Sequence, residues 1–279
     1  MNARMMTLRG HAGARRAANS SALDAAARWG FVARGAIYLL VGVLALQIAF
    51  GDSGKQADRG GALAELSDKP MGSVLLWILG AGLAGMALWR LSEALFGAAG
   101  PDGHKAGKRL LSAGRCVFYG FVAYSVLAFA AGDRGSGSGS SDQQSQDVTT
   151  RALDLPAGQW IVGIVGAGIA VGGIWVGARA VMRKYHKHLK LGQMSRRTRQ
   201  FVDVTGVGGG AARGLVFAAI GVFVVRAAVE YEPDKAKGFD DTLRTFAETP
   251  AGPWLLALVA VGLALFGVFS FAMARWRRV

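Results

Sequence analysis

Three times in this chain an arginine is followed four residues later by an aromatic ring, and four residues later again by a small residue. The copies are Arg34, Tyr38 and Gly42; Arg115, Tyr119 and Ala123; Arg213, Phe217 and Gly221. Residues at i, i+4 and i+8 lie along one face of a helix, so the spacing predicts one helical face used three times. A second element also recurs: Pro70-Met71-Gly72, Pro156-Ala157-Gly158 and Pro250-Ala251-Gly252. Counting from these prolines, Gly82, Gly168 and Gly262 share one position, and Trp89, Trp175 and Phe269 share another. Two alternating helix openings, each in three copies, constrain the chain to three helix pairs. Proline is expected in the first turn of each second helix, where its missing N–H breaks no bond.

Each opening leads into an apolar segment. Six such segments run near 31–50, 72–96, 117–131, 158–182, 211–229 and 253–274, and the third reaches full length only if it starts back at Leu110. About 20 mainly apolar residues cross the hydrocarbon core. With 52% hydrophobic residues and 41 glycines in 279, the composition fits a bilayer protein. The expected fold is therefore all-α, a polytopic membrane protein of six transmembrane helices. Each unit holds two spans, so all three enter in the same sense, as parallel repeats around a pseudo-threefold axis. The first segment is not read as a cleaved signal peptide, because it matches two later segments that cannot be one.

Charge predicts the orientation. Of the 32 lysines and arginines, 23 fall in the termini and even loops with only 4 of the 18 acids; the odd loops hold the remaining 9 and 14. The positive-inside rule then places both termini in the cytoplasm of a bacterium, with the protein in its inner membrane. The basic run from Arg183 to Arg199 accordingly reads as topology plus attraction to anionic lipid headgroups on the cytoplasmic side. It lacks a nucleic-acid-binding motif, so no nucleic acid is expected as a partner.

These features divide the chain into a basic cytoplasmic tail (1–27), repeat one (28–97), repeat two (98–182), a basic cytoplasmic linker (183–202) and repeat three with a short basic tail (203–279). The outer loops of repeats one and three each allow one short interfacial turn, at Leu63 to Leu66 and Leu243 to Phe246. In repeat two the stretch Gly135 to Ser141, followed by Asp142-Gln143-Gln144, reads as a flexible, dispensable linker. Trp160 and Trp254 read as interfacial anchors.

Candidate binding residues are few. Arg34, Arg115 and Arg213 are expected at cytoplasmic helix ends. One reading has them snorkel to the surface and fix orientation. The other has them converge near the axis, bind a lipid phosphate or anionic solute and stack on Tyr38, Tyr119 and Phe217. Gly42, Gly82, Gly168, Gly172, Gly214 and Gly262 are expected to pack helices closely; Gly168 with Gly172, Gly173 with Gly177 and Gly210 with Gly214 have the small-residue spacing for it.

Catalytic chemistry is not evident. The four histidines, His11, His104, His186 and His188, fall in tails or inner loops; the last two, at i and i+2, suit a surface better than a metal. No metal, cofactor or catalytic residue is assigned, and an enzyme is not expected. Glu93 sits three residues after Arg90, which suggests a local ion pair. Lone Cys116 can form no disulfide within the chain.

The repeated Arg-Gly-x-x-Tyr-x-x-x-Gly and Pro-x-Gly openings resemble a bacterial membrane family catalogued as domain of unknown function 1206. The likeness runs from Arg28 to Arg275, with Cys116 and Ala123 replacing glycines and Phe217 replacing tyrosine. It implies three tandem two-helix modules and brings no activity. The resulting expectation is a non-enzymatic scaffold or accessory subunit binding lipid or a membrane-protein partner, in an oligomeric state the sequence leaves open. The alternative is a small channel or transporter along the repeat axis. A polar, water-accessible lining between the odd helices would favour transport; a core closed by Gly, Ala and Leu would favour the scaffold.

Overall fold

The computed structural model describes residues 21–51, 54–97, 105–132 and 140–278. Each repeat in it contains a long helix, a short helix and a second long helix. The elements are α1 (Ser21–Ala49), α2 (Arg59–Ser67) and α3 (Gly72–Phe96); α4 (Ala106–Ala130), α5 (Ser141–Leu153) and α6 (Gly158–Val181); α7 (Arg196–Glu230), α8 (Phe239–Ala247) and α9 (Gly252–Trp276). The six long helices have 24 to 35 residues and the apolarity needed to span a membrane. This is an all-α, multi-pass membrane protein. α7 begins at Arg196, so the sequence boundary at 203 falls inside a helix.

The three repeats enter the short-helix layer alike. Asp68, Asp154 and Glu248 are the C-caps of α2, α5 and α8, each two residues before a proline. The proline lies outside the helix that follows, not in its first turn. Lys69-Pro70-Met71-Gly72 and Leu155-Pro156-Ala157-Gly158 are turns closed by N–H to carbonyl bonds of 2.8 Å, with Met71 and Ala157 left-handed. Proline supplies φ at the second turn position, and a positive φ at the third makes a type II turn. The glycine answers a close approach: a Cβ at Gly72 would stand 2.4 Å from the Leu66 carbonyl oxygen, and one at Gly158 2.2 Å from that of Ala152. Pro-x-Gly thus folds the second long helix of repeats one and two back under its short one; in repeat three the turn differs, with Ala251 right-handed and Gly252 at φ +45°.

The short helices form a ring of carboxylate bonds around the axis. Asp58 Oδ2 accepts from the Ser141 amide at 2.6 Å. Asp142 accepts from the Asp241 amide at 3.1 Å, and Asp240 from the Ala57 amide at 2.6 Å. Each repeat therefore holds the start of the next repeat's short helix, one to two, two to three and three to one. Carboxylates suit these places because helix starts leave N–H groups unpaired and carry partial positive charge. This corrects the flexible-linker reading of repeat two in part. Ser140, Ser141, Asp142, Gln143 and Gln144 belong to a capped helix and to the ring; residues 135–139 lie outside the described residues. Deleting 135–144 removes two ring members and is no longer expected to be harmless.

Burial and the neighbouring carboxylates Asp241, Asp240 and Asp58 raise Asp142 to about 6. A carboxyl raised on folding stabilises while protonated, and that contribution is lost as pH rises from the unfolded value near 4. Thermal stability is expected to fall between about pH 4 and about pH 6, and Asp142→Asn to remove that slope. A slope unchanged in Asp142→Asn would exclude this group as its source.

At the other end the long helices pack in the spatial order α4, α3, α1, α9, α7, α6. Glycines set the tightest contacts. Gly214 lies on Gly177 and Gly173, Gly221 on Ala170, and Gly42 on Ala264 and Ala260. Without water to drive them together, membrane helices associate through such close backbone contact. A buried apolar cluster that includes Val41, Leu44, Ala45, Val216, Leu256 and Leu263 joins repeats one and three and reaches the short helices at Ala62 and Leu243. Trp160 and Trp254 are exposed at the short-helix end. The packing order does not close on itself, because α4 and α6, the long helices of repeat two, are not a packed pair.

Candidate functional site

The motif arginines are well inside their helices. Arg34 follows Ser21 by 13 positions and Arg213 follows Arg196 by 17, roughly 20 and 25 Å of helix at 1.5 Å per residue. The sequence reading placed them at helix entries, which is corrected: the helices continue beyond the apolar runs toward the end that carries the termini. Nor do Arg34 and Arg213 snorkel. Arg34 donates from Nε to Ser270 Oγ at 3.1 Å and toward the Tyr119 hydroxyl at 3.5 Å. Its guanidinium stands 4.8 Å from the Phe31 ring centre and 5.1 Å from that of Phe266. Arg213 stands over Phe266, Phe217 and Tyr38 at 4.9, 5.2 and 5.6 Å.

The pairing is cyclic, in the same sense as the carboxylate ring. Arg34 of repeat one meets Tyr119 of repeat two, and Arg213 of repeat three meets Tyr38 of repeat one. The motif arginines thus reach the motif rings across repeats, and only Arg213 also stacks on its own Phe217. Following the cycle, Arg115 falls to Phe217, which has no hydroxyl. Arg115 is exposed and feels the charges of Arg90, Glu93 and Arg213.

Two further arginines complete the group. Arg90 Nη1 is 2.6 Å from Glu93 Oε2, as the i, i+3 spacing suggested, and its guanidinium lies 4.1 Å from the Trp89 ring centre. Ser112 donates to the same Glu93 oxygen at 3.2 Å. Arg277, just past the end of α9, lies over Trp89 and Phe31 at 4.8 and 5.1 Å. Burial, then the charge of Arg90, lowers Arg277 to about 9. Glu93 thus pairs with Arg90 and acts on Arg115 and Arg277, and Arg34 and Arg213 are coupled to that group through Arg277 and Arg115. The Nε atoms of Arg90, Arg213 and Arg277 are buried without a hydrogen-bond partner. Buried donors left open are costly, and like charges in a poorly screened interior repel. Planar guanidiniums so placed suit an oxyanion such as phosphate, which they bind in bidentate fashion.

Arginines also tie neighbouring repeats together at this end. Arg28 donates to the carbonyls of Ala274 and Arg275, at 2.7 and 2.9 Å, at the end of α9. Arg109, its counterpart in repeat two, donates to Ala94 and Leu95 at the end of α3 at 2.8 and 2.9 Å. Both satisfy open carbonyls at a helix C-terminus, where positive charge is favoured.

His186 and His188 are less superficial than their sequence position implied. His186 pairs with Asp203, which also accepts from the Tyr185 hydroxyl at 3.2 Å. Burial, with the charge of Arg277 second, lowers His188 to about 4, so it is neutral beside the arginines. His11 and His104 lie outside the described residues.

The glycines separate by repeat. Gly42, Gly82, Gly214 and Gly262 stand at close helix contacts, whereas Gly168 and Gly172 face open space. The expectation that the last two pack helices is therefore corrected: an added Cβ at either meets nothing within 4 Å, and α6 is not packed on α4, its partner in the repeat. Phe266, Ser270 and Arg277 were not singled out from sequence. Their signal was position, since Phe266 and Ser270 occupy the third-repeat places of Met86 and Arg90 counted from the prolines.

The chain belongs to the family described as Domain of Unknown Function (DUF1206), whose pattern matches three times, over residues 29–97, 112–183 and 208–277. It is similar to an uncharacterized protein YxxB of Bacillus subtilis (strain 168), 33% identical over 243 residues, which cover 87% of each chain. No solved structure matches.

Proposed function

We propose that this is a non-enzymatic scaffold or accessory subunit of the bacterial inner membrane that binds the phosphate of an anionic phospholipid at its arginine cluster. One observation carries the reading: five arginines with coupled charges are grouped in the half of the bundle next to the termini, and the one carboxylate among them, Glu93, is already paired with Arg90. A counter-anion would offset the repulsion and fill the open donors. The one-sided distribution of basic residues supports termini in the cytoplasm, which sets the cluster in the inner leaflet, within reach of lipid headgroups. A channel along the axis is the competing reading. The buried apolar cluster of Val41, Leu44, Val216 and Leu263, together with the carboxylate ring, argues for the scaffold.

The test is native mass spectrometry of the protein from mixed micelles of phosphatidylglycerol and phosphatidylcholine. Retention of phosphatidylglycerol is expected, and Arg115→Gln should weaken it about tenfold, the value of a charge-assisted hydrogen bond. Arg115 is exposed, so its loss should leave the fold intact. Equal retention of both lipids would overturn the reading. Solute flux in liposomes that disappears with Arg34→Gln or Arg213→Gln would replace it with the channel.

A further inference from the structure

The long helices of repeats one and three touch at equivalent points. A Cβ on Gly82 would stand 3.0 Å from the Ala33 Cβ, and one on Gly262 2.3 Å from the Ala212 Cβ. Ala33 and Ala212 immediately precede the motif arginines; in repeat two that place is Gly114, facing Gly168 by the same count. Neither of those glycines has a neighbour within 4 Å. A second contact, four positions before each arginine, pairs Gly30 with Met86 and Gly209 with Phe266. Its counterpart is Leu111 and Gly172, with large and small residues exchanged between the helices. The surfaces of α4 and α6 are thus complementary yet apart. Trp175 follows: it is 59% exposed where Trp89 and Phe269 are 5% and 6%.

The gap and the charge cluster meet at Arg115. This arginine follows Gly114, is exposed, lacks the phenol that its two counterparts reach, and is coupled to Arg213, whose buried Nε is open. An apolar gap ending at unbalanced cations matches a molecule with apolar chains and an anionic head. A partner helix would need an acidic group at the same depth.

We propose that the gap between α4 and α6 is a lateral entrance that takes one anionic phospholipid from the bilayer, its phosphate on Arg115 and its acyl chains between the helices. Without the lipid, α4 and α6 close through Gly114 on Gly168 and Leu111 on Gly172. The proposal rests on the arginine cluster being a lipid site and adds a route and a moving part.

Disulfide trapping tests it, because a bridge needs Cα atoms within about 7 Å. Gly114→Cys and Gly168→Cys are combined in a Cys116→Ser background; Gly163→Cys with Ala228→Cys, whose Cβ atoms would stand 3.8 Å apart, is the reference. In vesicles of phosphatidylcholine both pairs should cross-link under mild oxidation. In vesicles one-third phosphatidylglycerol the middle pair should slow about tenfold, the reference pair should not, and Arg115→Gln should abolish the difference. No cross-link in either vesicle would mean a fixed gap, and equal rates would mean that lipid is not its occupant. A bridge between two copies would mean that a second chain fills it. Each of these overturns the entrance. Selective phosphatidylglycerol retention in the mass spectrometer alongside such a result leaves the arginine site standing, whereas absent selectivity removes the site itself.

Discussion

Leucine at Gly82 or Gly262 is expected to lower stability by about 1–3 kcal/mol or more, and leucine at Gly168 to leave it as stable as the parent, although the three glycines occupy one position of the repeat. At Gly262 the first added carbon already lies 2.3 Å from the Ala212 Cβ; at Gly82 it lies 3.0 Å from the Ala33 Cβ and 3.1 Å from the Trp29 carbonyl. The remaining carbons of leucine fit only if α1 and α3, or α7 and α9, separate. Overpacking of this kind costs about 1–3 kcal/mol or more, a large part of a typical total of about 5–15 kcal/mol. In a bilayer the parted surfaces gain lipid contact, so no hydrophobic penalty pulls them back together. Gly168 meets open space, and leucine there improves helix propensity by up to about 1 kcal/mol. Size-exclusion profiles and thermal unfolding of the three variants decide the matter. Equal damage in all three would mean that α4 and α6 are packed together in the native protein. If repeat two is a lateral entrance, Gly168→Leu also holds it open and lowers cross-linking of Gly114→Cys with a cysteine at a neighbouring α6 position.

Sequence period carried most of the architecture. Pro-x-Gly and Arg-x-x-x-aromatic spacings mark equivalent backbone positions, and equivalent backbones in a repeat protein have equivalent neighbours. Thus the helix pairs, their common direction and the tight places of Gly42, Gly82, Gly214 and Gly262 were legible. Two kinds of feature were not. Contacts between repeats need to know which unit follows which around the axis, and that order does not appear in the spacing of any one repeat; hence the reach of Arg34 to Tyr119 of the next repeat cannot be read from its own motif. Departures from symmetry are invisible for the opposite reason. Gly168 looks like Gly82 in sequence, and only the positions of α4 and α6 separate them.

Composition misled at the short-helix layer. Glycine and serine before α5 suggested a linker, and the polar run Ser141 to Thr150 has none of the apolar periodicity of a membrane helix. A better signal lay at its other end. Asp68, Asp154 and Glu248, at one distance from the three prolines, cap the three short helices and announce a helix before each turn. The candidate site was half legible: three of its five arginines stand in the repeated motif, while Arg90 and Arg277 arrive from positions that the other repeats fill with different residues.

Cutting the carboxylate ring at one link should loosen the whole short-helix layer, and Asp240→Ala is the sharpest cut. One Asp240 oxygen accepts from the Ala57 amide at 2.6 Å and the other from Arg244 Nε at 2.7 Å. Asp240 is 4% exposed and Ala57 fully buried, so alanine leaves a buried N–H unpaired and releases Arg244 from its carboxylate. Breaking such a hub by removing one partner costs about 3 kcal/mol. Asp240→Asn keeps an oxygen for Ala57 and loses only the charge opposite Arg244, a pair already one-third exposed on the arginine side; its cost should stay near 1 kcal/mol. Thermal unfolding ranks the two variants, and hydrogen exchange locates the effect. In Asp240→Ala the amides at the starts of α2, α5 and α8 should exchange faster together, because each is held by a carboxylate of the preceding repeat and a ring open at one link no longer fixes the other two. Faster exchange confined to Ala57 would mean three independent caps with no shared ring. Lipid retention at the arginine cluster should persist in Asp240→Ala, since Arg34 and Arg213 stand 15 and 17 residues before the ends of α1 (Ala49) and α7 (Glu230) that lead to the short helices.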